Sequence, residues 1–339
     1  MHVVVIGSGV AGTTFAEEFR KARPDAQITL VTRERHGHYA RPMLSHGFSR
    51  EDVETKIMLR TFDELQAAGI AVQAGTEVEA VERSAKTVRC RAGGSAFTLG
   101  YDTLVLAPGS EAFIPPPFQA ARDLFQVVNS LDDLLALRRL RAELMDQGRV
   151  PRWAVVGGGL IGCEAASDLA KAGDRVVLFH ALPRLMERQL VEEDSATLLQ
   201  VLEAQGIQVR LSAAVTGFEK TGPSLTVHLV SGSETGFDGI IVACGFKPRT
   251  ELAEKAGLPV NRGIRVDAFL RTEDPAIYAL GDAAECPDGR LYAYIMPIRH
   301  QAAWLAQFLA GATTDPWQPP AFKPRAKVHG FLAAHPYLF

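Results

Sequence analysis

An α/β protein built from two Rossmann-like, three-layer domains is predicted by three observations in this 339-residue sequence. A glycine-rich turn, Gly7-Ser8-Gly9-Val10-Ala11-Gly12, follows a β-branched run from Val3 to Ile6. A second, Gly157-Gly158-Gly159-Leu160-Ile161-Gly162, follows Trp153 to Val156. Each turn leads into helical apolar spacing, Thr13 to Lys21 in the first case and through Lys171 in the second, and then into a new strand-like run, QITLVT or RVVLF. Each set is a βαβ unit, and two such units about 150 residues apart imply two mononucleotide-type domains.

The elements between these units set the domain order. YDTLVLAPGS is a strand ending at a tight turn, and FIPPPF is a linker, because consecutive prolines continue neither a helix nor a ladder. A second crossing falls near IIVACGFKPRT, where a buried strand again meets Gly and Pro. AIYALGD is a further strand and turn, PIRHQAAWLAQFLAG a helix opened by Pro297 and closed near Gly311, and AKVHGFLAAH a last strand. These two crossings place expected domain boundaries after residues 112 and 245.

Composition narrows the function classes. The sequence is 47% hydrophobic and 22% charged, ordinary for a globular chain, and its net charge of −3 gives no general attraction to nucleic acid or anionic membrane. No apolar run has transmembrane length, and the N-terminus runs into a glycine turn without a signal-peptide core. Cys90, Cys163, Cys244 and Cys286 show neither CxxC nor metal-ligand spacing with histidine, so no metal site and no redox dithiol is expected, and a reducing cytoplasm is the simplest setting. Cys163 is expected to be a small helix-packing residue, and Trp304 a core residue. Lys323, Arg325 and Lys327 read either as a docking patch for an acidic partner or as a solvated basic tail.

The chemistry lies in the two glycine turns. Gly7 and Gly157 allow the tight turn, Gly9 and Gly159 admit a pyrophosphate close to the backbone, and Gly12 and Gly162 allow close helix packing, while the helix N-terminus attracts phosphate charge. Two dinucleotides on one polypeptide suggest electron transfer between them.

GSGVAG, RPMLS, LVLAPGS, GGGLIGCE and AGLPVNRGIRVDAFLRTEDPAIYALGDAAE together resemble the FAD-dependent pyridine nucleotide-disulfide oxidoreductases, whose fold is glutathione-reductase-like. Within that superfamily they are most similar to the rubredoxin and flavorubredoxin reductases. The resemblance covers nearly all of the chain and implies FAD on the first fingerprint and NADH on the second, with NADPH also admitted. It implies an FAD domain of residues 1–112 and 246–318 split around a nicotinamide domain of residues 113–245, with residues 319–339 as the remnant of a C-terminal interface domain that is largely missing. It implies FAD contacts at Gly7, Gly9, Gly12, Thr32, Arg41, Pro42, Ala107, Gly109, Asp282 and Pro297, with Asp282 on the ribityl chain and the helix opened by Pro297 aimed at the flavin pyrimidine. Thr32 stands where a ribose-binding acid is common, with Glu34 nearby. The nicotinamide coenzyme would meet Gly157, Gly159, Gly162, His180 and Arg184, His180 standing in place of the acid that usually bonds the ribose.

Glu164 is the implied catalytic residue, beside the flavin's reactive edge and paired with a base. Related ferredoxin reductases carry a lysine after RPPLS, and here that position is His46, so Arg41 or His46 is the candidate partner. The segment RPMLSHGF contains no cysteine, so electrons leave the flavin directly for an external acceptor. Rubredoxin or a similar small iron or iron–sulfur carrier is the expected partner. The alternatives are a ferredoxin-type reductase of an oxygenase system, an NADH oxidase, and, from another class, a non-catalytic FAD-binding module in a larger complex; the oligomeric state stays open.

Overall fold

A computed structural model describes residues 1–338. The described chain forms two compact units, one of residues 1–40, 58–111 and 248–322, the other of residues 41–57, 112–247 and 323–338.

The first unit is centred on a parallel sheet in the order Ile277–Ala279, Thr103–Leu106, His2–Ile6, Gln27–Val31, Ala71–Gln73. Its central strands are apolar on both faces, as a sheet covered on both sides requires, with Val3, Val4 and Val5 fully buried. Helix Val10–Ala22 returns from the first strand and packs against helix Ile295–Leu309. A three-stranded antiparallel sheet, Thr76–Glu82, Thr87–Ala92 and Ser95–Gly100, completes the unit. Helix Ile295–Leu309 starts two residues before Pro297, which sits in its first turn, where a missing N–H costs no intrahelical bond. Trp304 stacks on Phe308 with ring centroids 5.1 Å apart.

The second unit repeats the plan. Its parallel sheet runs Gln208–Arg210, Arg175–Phe179, Arg152–Val156, Gly239–Val242, its crossover helix is Leu160–Lys171, and its antiparallel sheet is Val215–Thr221, Ser224–Leu229 and Gly232–Phe237. The core gathers Phe118, Phe125, Phe179, Phe218 and Phe237. The α/β class with parallel sheets is therefore the observed one.

Two boundaries differ from the sequence expectation. Residues 41–57 belong to the second unit, because the short 3-10 helix Arg41–His46 packs on Leu160–Lys171. Residues 323–338 also belong there and hold no strand. Their backbone bonds go to side chains instead: Asp194 accepts from the N–H groups of Ala334 and His335, Ser167 Oγ from that of His329, and Glu164 from that of Lys327. Strand-like composition was overridden because buried polar side chains supplied the partners a ladder would have given.

Candidate functional site

Both glycine turns do the same physical work. Gly7 and Gly157 have φ of +106° and +115°, open only to glycine at low cost. A Cβ on Gly12 would lie 1.9 Å from the carbonyl oxygen of Gly7, and one on Gly162 1.8 Å from that of Gly157. These two glycines let helix and turn touch. Gly9 and Gly159 are different: a Cβ on either would meet no protein atom within 4 Å. Each is the N-cap of its helix, extended in backbone, with no side chain capping the first turn. Open space over uncapped helix N–H groups is what a phosphate group needs, so both turns fit a dinucleotide.

Around the first turn, Ser8 and Thr32 join hydroxyls at 2.8 Å, and Thr32 also accepts from the Glu34 N–H. The Ala107 carbonyl lies against Gly7, Gly109 takes φ +70°, and Asp282, on the turn Gly281–Ala283, accepts from Ser110 Oγ at 2.7 Å.

Around the second turn, His180 accepts the Gly158 N–H on Nδ1 at 3.0 Å, which leaves the proton on Nε2. Nε2 faces the Arg184 carbonyl at 3.0 Å and Glu187 Oε2 at 3.2 Å. The Arg184 guanidinium donates to the carbonyls of Leu190 and Glu187. His180 and Arg184 thus hold their own loop in shape. A carboxylate therefore does stand beside His180, that of Glu187 seven residues along the chain, where no local motif marks it.

Glu164 is 2% exposed as a side chain. Lys327 Nζ lies 2.7 Å from both of its carboxylate oxygens, the Lys327 N–H donates to Oε1 at 2.8 Å, and Ser45 Oγ donates to Oε2 at 2.6 Å. The basic partner is therefore Lys327, and the expectation of Arg41 or His46 is corrected. Arg41 donates to the Asn129 carbonyl at 2.5 Å, and His46 Nε2 bonds the Lys327 carbonyl. Lys327 is accordingly no part of a solvated basic tail. One turn along the same helix, Asp168 receives the N–H groups of Phe48 and Ser49, the Ser49 hydroxyl and His329 Nε2.

All four cysteines are free thiols. Burial pushes Cys90 and Cys244 up to about 11, Cys286 up to about 12 and Cys163 higher still, so each is a weak nucleophile at neutral pH. Alkylation of the folded protein by iodoacetamide is expected to leave NADH-dependent turnover within about twofold of its starting value, since thiolate is the reactive form. Loss of activity that a single Cys→Ser substitution prevents would contradict this.

Residues 1–303 match the family model described as pyridine nucleotide-disulphide oxidoreductase, and the chain belongs to that family. It is 33% identical over 318 residues to a rubredoxin-NAD(+) reductase of Alcanivorax borkumensis, covering 93% of this chain and 80% of that protein. It is 36% identical over 321 residues to a nitric oxide reductase FlRd-NAD(+) reductase of Pectobacterium atrosepticum, covering 94% and 81%. Among solved structures it is similar to the covalent putidaredoxin reductase–putidaredoxin complex, with a TM-score of 0.86 at 28% identity, over 97% of this chain and 79% of that one. No helix among the described residues is long and apolar enough to cross a membrane.

Proposed function

We propose that the protein is an FAD-dependent NADH oxidoreductase that delivers electrons to rubredoxin or a similar small iron carrier. The carrying observation is the pair of open, uncapped glycine helix starts, one in each unit, in a chain whose thiols are all deactivated by burial. FAD supplies the step from two-electron hydride chemistry to single-electron release. Gly7, Gly9, Gly12, Thr32, Asp282, the Ala107–Gly109 turn and the helix carrying Pro297, all in the first unit, are assigned to its binding. Gly157, Gly159 and Gly162 are assigned to the pyrophosphate of NADH. Glu164 and Lys327 hold fixed opposite charges and a proton at Lys327 Nζ for exchange with the reacting group. Four free cysteines fit a reducing, cytoplasmic setting.

The test is NADH-dependent reduction of purified rubredoxin, ferredoxin and oxygen in parallel. Rubredoxin is expected to be reduced fastest. Oxygen consumption outpacing both carriers would make it an oxidase, and a flavin that NADH fails to bleach would make it a binding module.

Coenzyme choice is assigned to Glu187 in place of His180. Its carboxylate can accept from a ribose 2′-OH and repel a 2′-phosphate. Glu187→Gln is expected to raise the NADPH-to-NADH ratio of kcat/KM by about tenfold, the effect of ~1.4 kcal/mol of lost repulsion. An unchanged ratio would remove Glu187 from the ribose site.

A further inference from the structure

We propose that His46, Asp168 and His329 form a binding site for one divalent transition-metal ion of the zinc class. One ligand atom from each lies within 4.8 Å of the other two, although the residues come from a 3-10 helix, a long helix and the C-terminal segment. Asp168 is fully buried, His46 is 7% exposed, and an edge of His329 reaches solvent, which leaves an entry path.

The donor chemistry suits such an ion. His46 Nε2 bonds the Lys327 carbonyl, which can only accept, so the proton sits on Nε2 and the lone pair on Nδ1. A histidine whose far N–H is fixed on a backbone carbonyl is the usual form of a metal ligand. Burial, the largest influence, disfavours the charged imidazolium and lowers the His46 pKa from its ordinary value. For Asp168 burial pushes upward, but the bonds from Ser49, His329 and Phe48 outweigh it and hold the carboxylate ionised. Two imidazole nitrogens and one carboxylate oxygen select zinc, cobalt, nickel or copper over magnesium or calcium, and three protein ligands leave a position for water.

The ion would replace the hydrogen bond between His329 Nε2 and Asp168 Oδ1, now 3.0 Å long. His329 then gives the Nε2 lone pair, its proton moves to Nδ1, and the exposed Lys171 ammonium, 3.5 Å from that nitrogen, swings aside. Metal–ligand bonds of ~2.0–2.1 Å require the three atoms to draw together. Ser167 and Gln205 hold the His329 backbone, so that movement falls to rotation of its partly exposed ring. Metal at this point would clamp the C-terminal segment two residues from Lys327.

The experiment is titration of chelator-treated protein with Zn²⁺ against a chromophoric competitor, with Co²⁺ absorption as the geometric readout. One equivalent of Zn²⁺ is expected, with a four- or five-coordinate Co²⁺ spectrum. His46→Gln and His329→Gln should each weaken binding by about 100-fold or more, beyond the loss typical of an outer-sphere partner. His335→Gln, whose ring pairs with Asp194 elsewhere on the unit, should leave it unchanged. Histidine ring nitrogen shifts in the wild type should move at His46 and His329 on adding Zn²⁺, a readout that needs no variant to fold. Absence of stoichiometric Zn²⁺, an aquo-type Co²⁺ spectrum, or binding that survives both substitutions would overturn the proposal.

Discussion

Lys327→Met is expected to lower NADH-dependent electron delivery by about 100-fold, the low end of what a positioned proton-transfer group contributes. It is also expected to destabilise the second unit by ~3 kcal/mol, because it strands a buried carboxylate. Glu164 takes four bonds, three of them from Lys327. Methionine preserves the backbone N–H bond and most of the side-chain volume but removes both charge-assisted bonds. Lys327 is about a third exposed, so the stability loss belongs at the low end of the range for buried pairs. The double variant Glu164→Gln/Lys327→Met removes the stranded charge and should recover most of the stability while activity stays low. Thermal unfolding and single-turnover flavin reduction by NADH separate the two effects. Wild-type reduction rates in Lys327→Met would show that the pair only anchors the C-terminal segment.

That pair also marks where the sequence stopped being legible. The two glycine turns, their flanking strands and their helices could be read directly, because hydrophobic period and glycine spacing are local properties. Lys327 returns to Glu164 across 163 positions, and no local pattern reports that. A faint signal existed. Glu164 and Asp168 are four apart on a helix, hence about 6 Å along its axis, and Lys327 and His329 are two apart, about 6.6 Å in an extended chain. The two spacings match, so one extended segment can satisfy both carboxylates in register. AKVHGFLAAH has strand-like composition, yet its backbone N–H groups bond helix side chains, those of Glu164, Ser167 and Asp194. Glu187 escaped for a related reason: the loop after Phe179 folds back on His180, so the carboxylate arrives from outside the expected strand end.

The second large effect separates binding from folding at the glycine turns. Gly9→Val is expected to yield protein that folds but purifies without flavin, whereas Gly12→Val should prevent the first unit from folding. A side chain on Gly9 enters space free of protein atoms at the start of helix Val10–Ala22, with ordinary φ of −69°, so the protein itself raises no objection. It would, however, stand over the N–H groups assigned to the pyrophosphate, and loss of those bonds should cost at least about 100-fold in FAD affinity. At Gly12 the first added carbon would lie 1.9 Å from the Gly7 carbonyl oxygen and 3.2 Å from Val5 Cγ1, contacts with rigid backbone and a fully buried strand. Nothing there can move without parting the helix from the sheet, so several kcal/mol of overpacking is expected. Gly159→Val and Gly162→Val should repeat the contrast in the second unit, with NADH affinity in place of flavin content. Absorbance near 450 nm per chain, NADH binding by isothermal titration and thermal unfolding of the flavin-free forms measure the four outcomes. If Gly9→Val retains full flavin, the phosphate does not lie over this helix start, and the assignment of the first fingerprint fails while the fold stands.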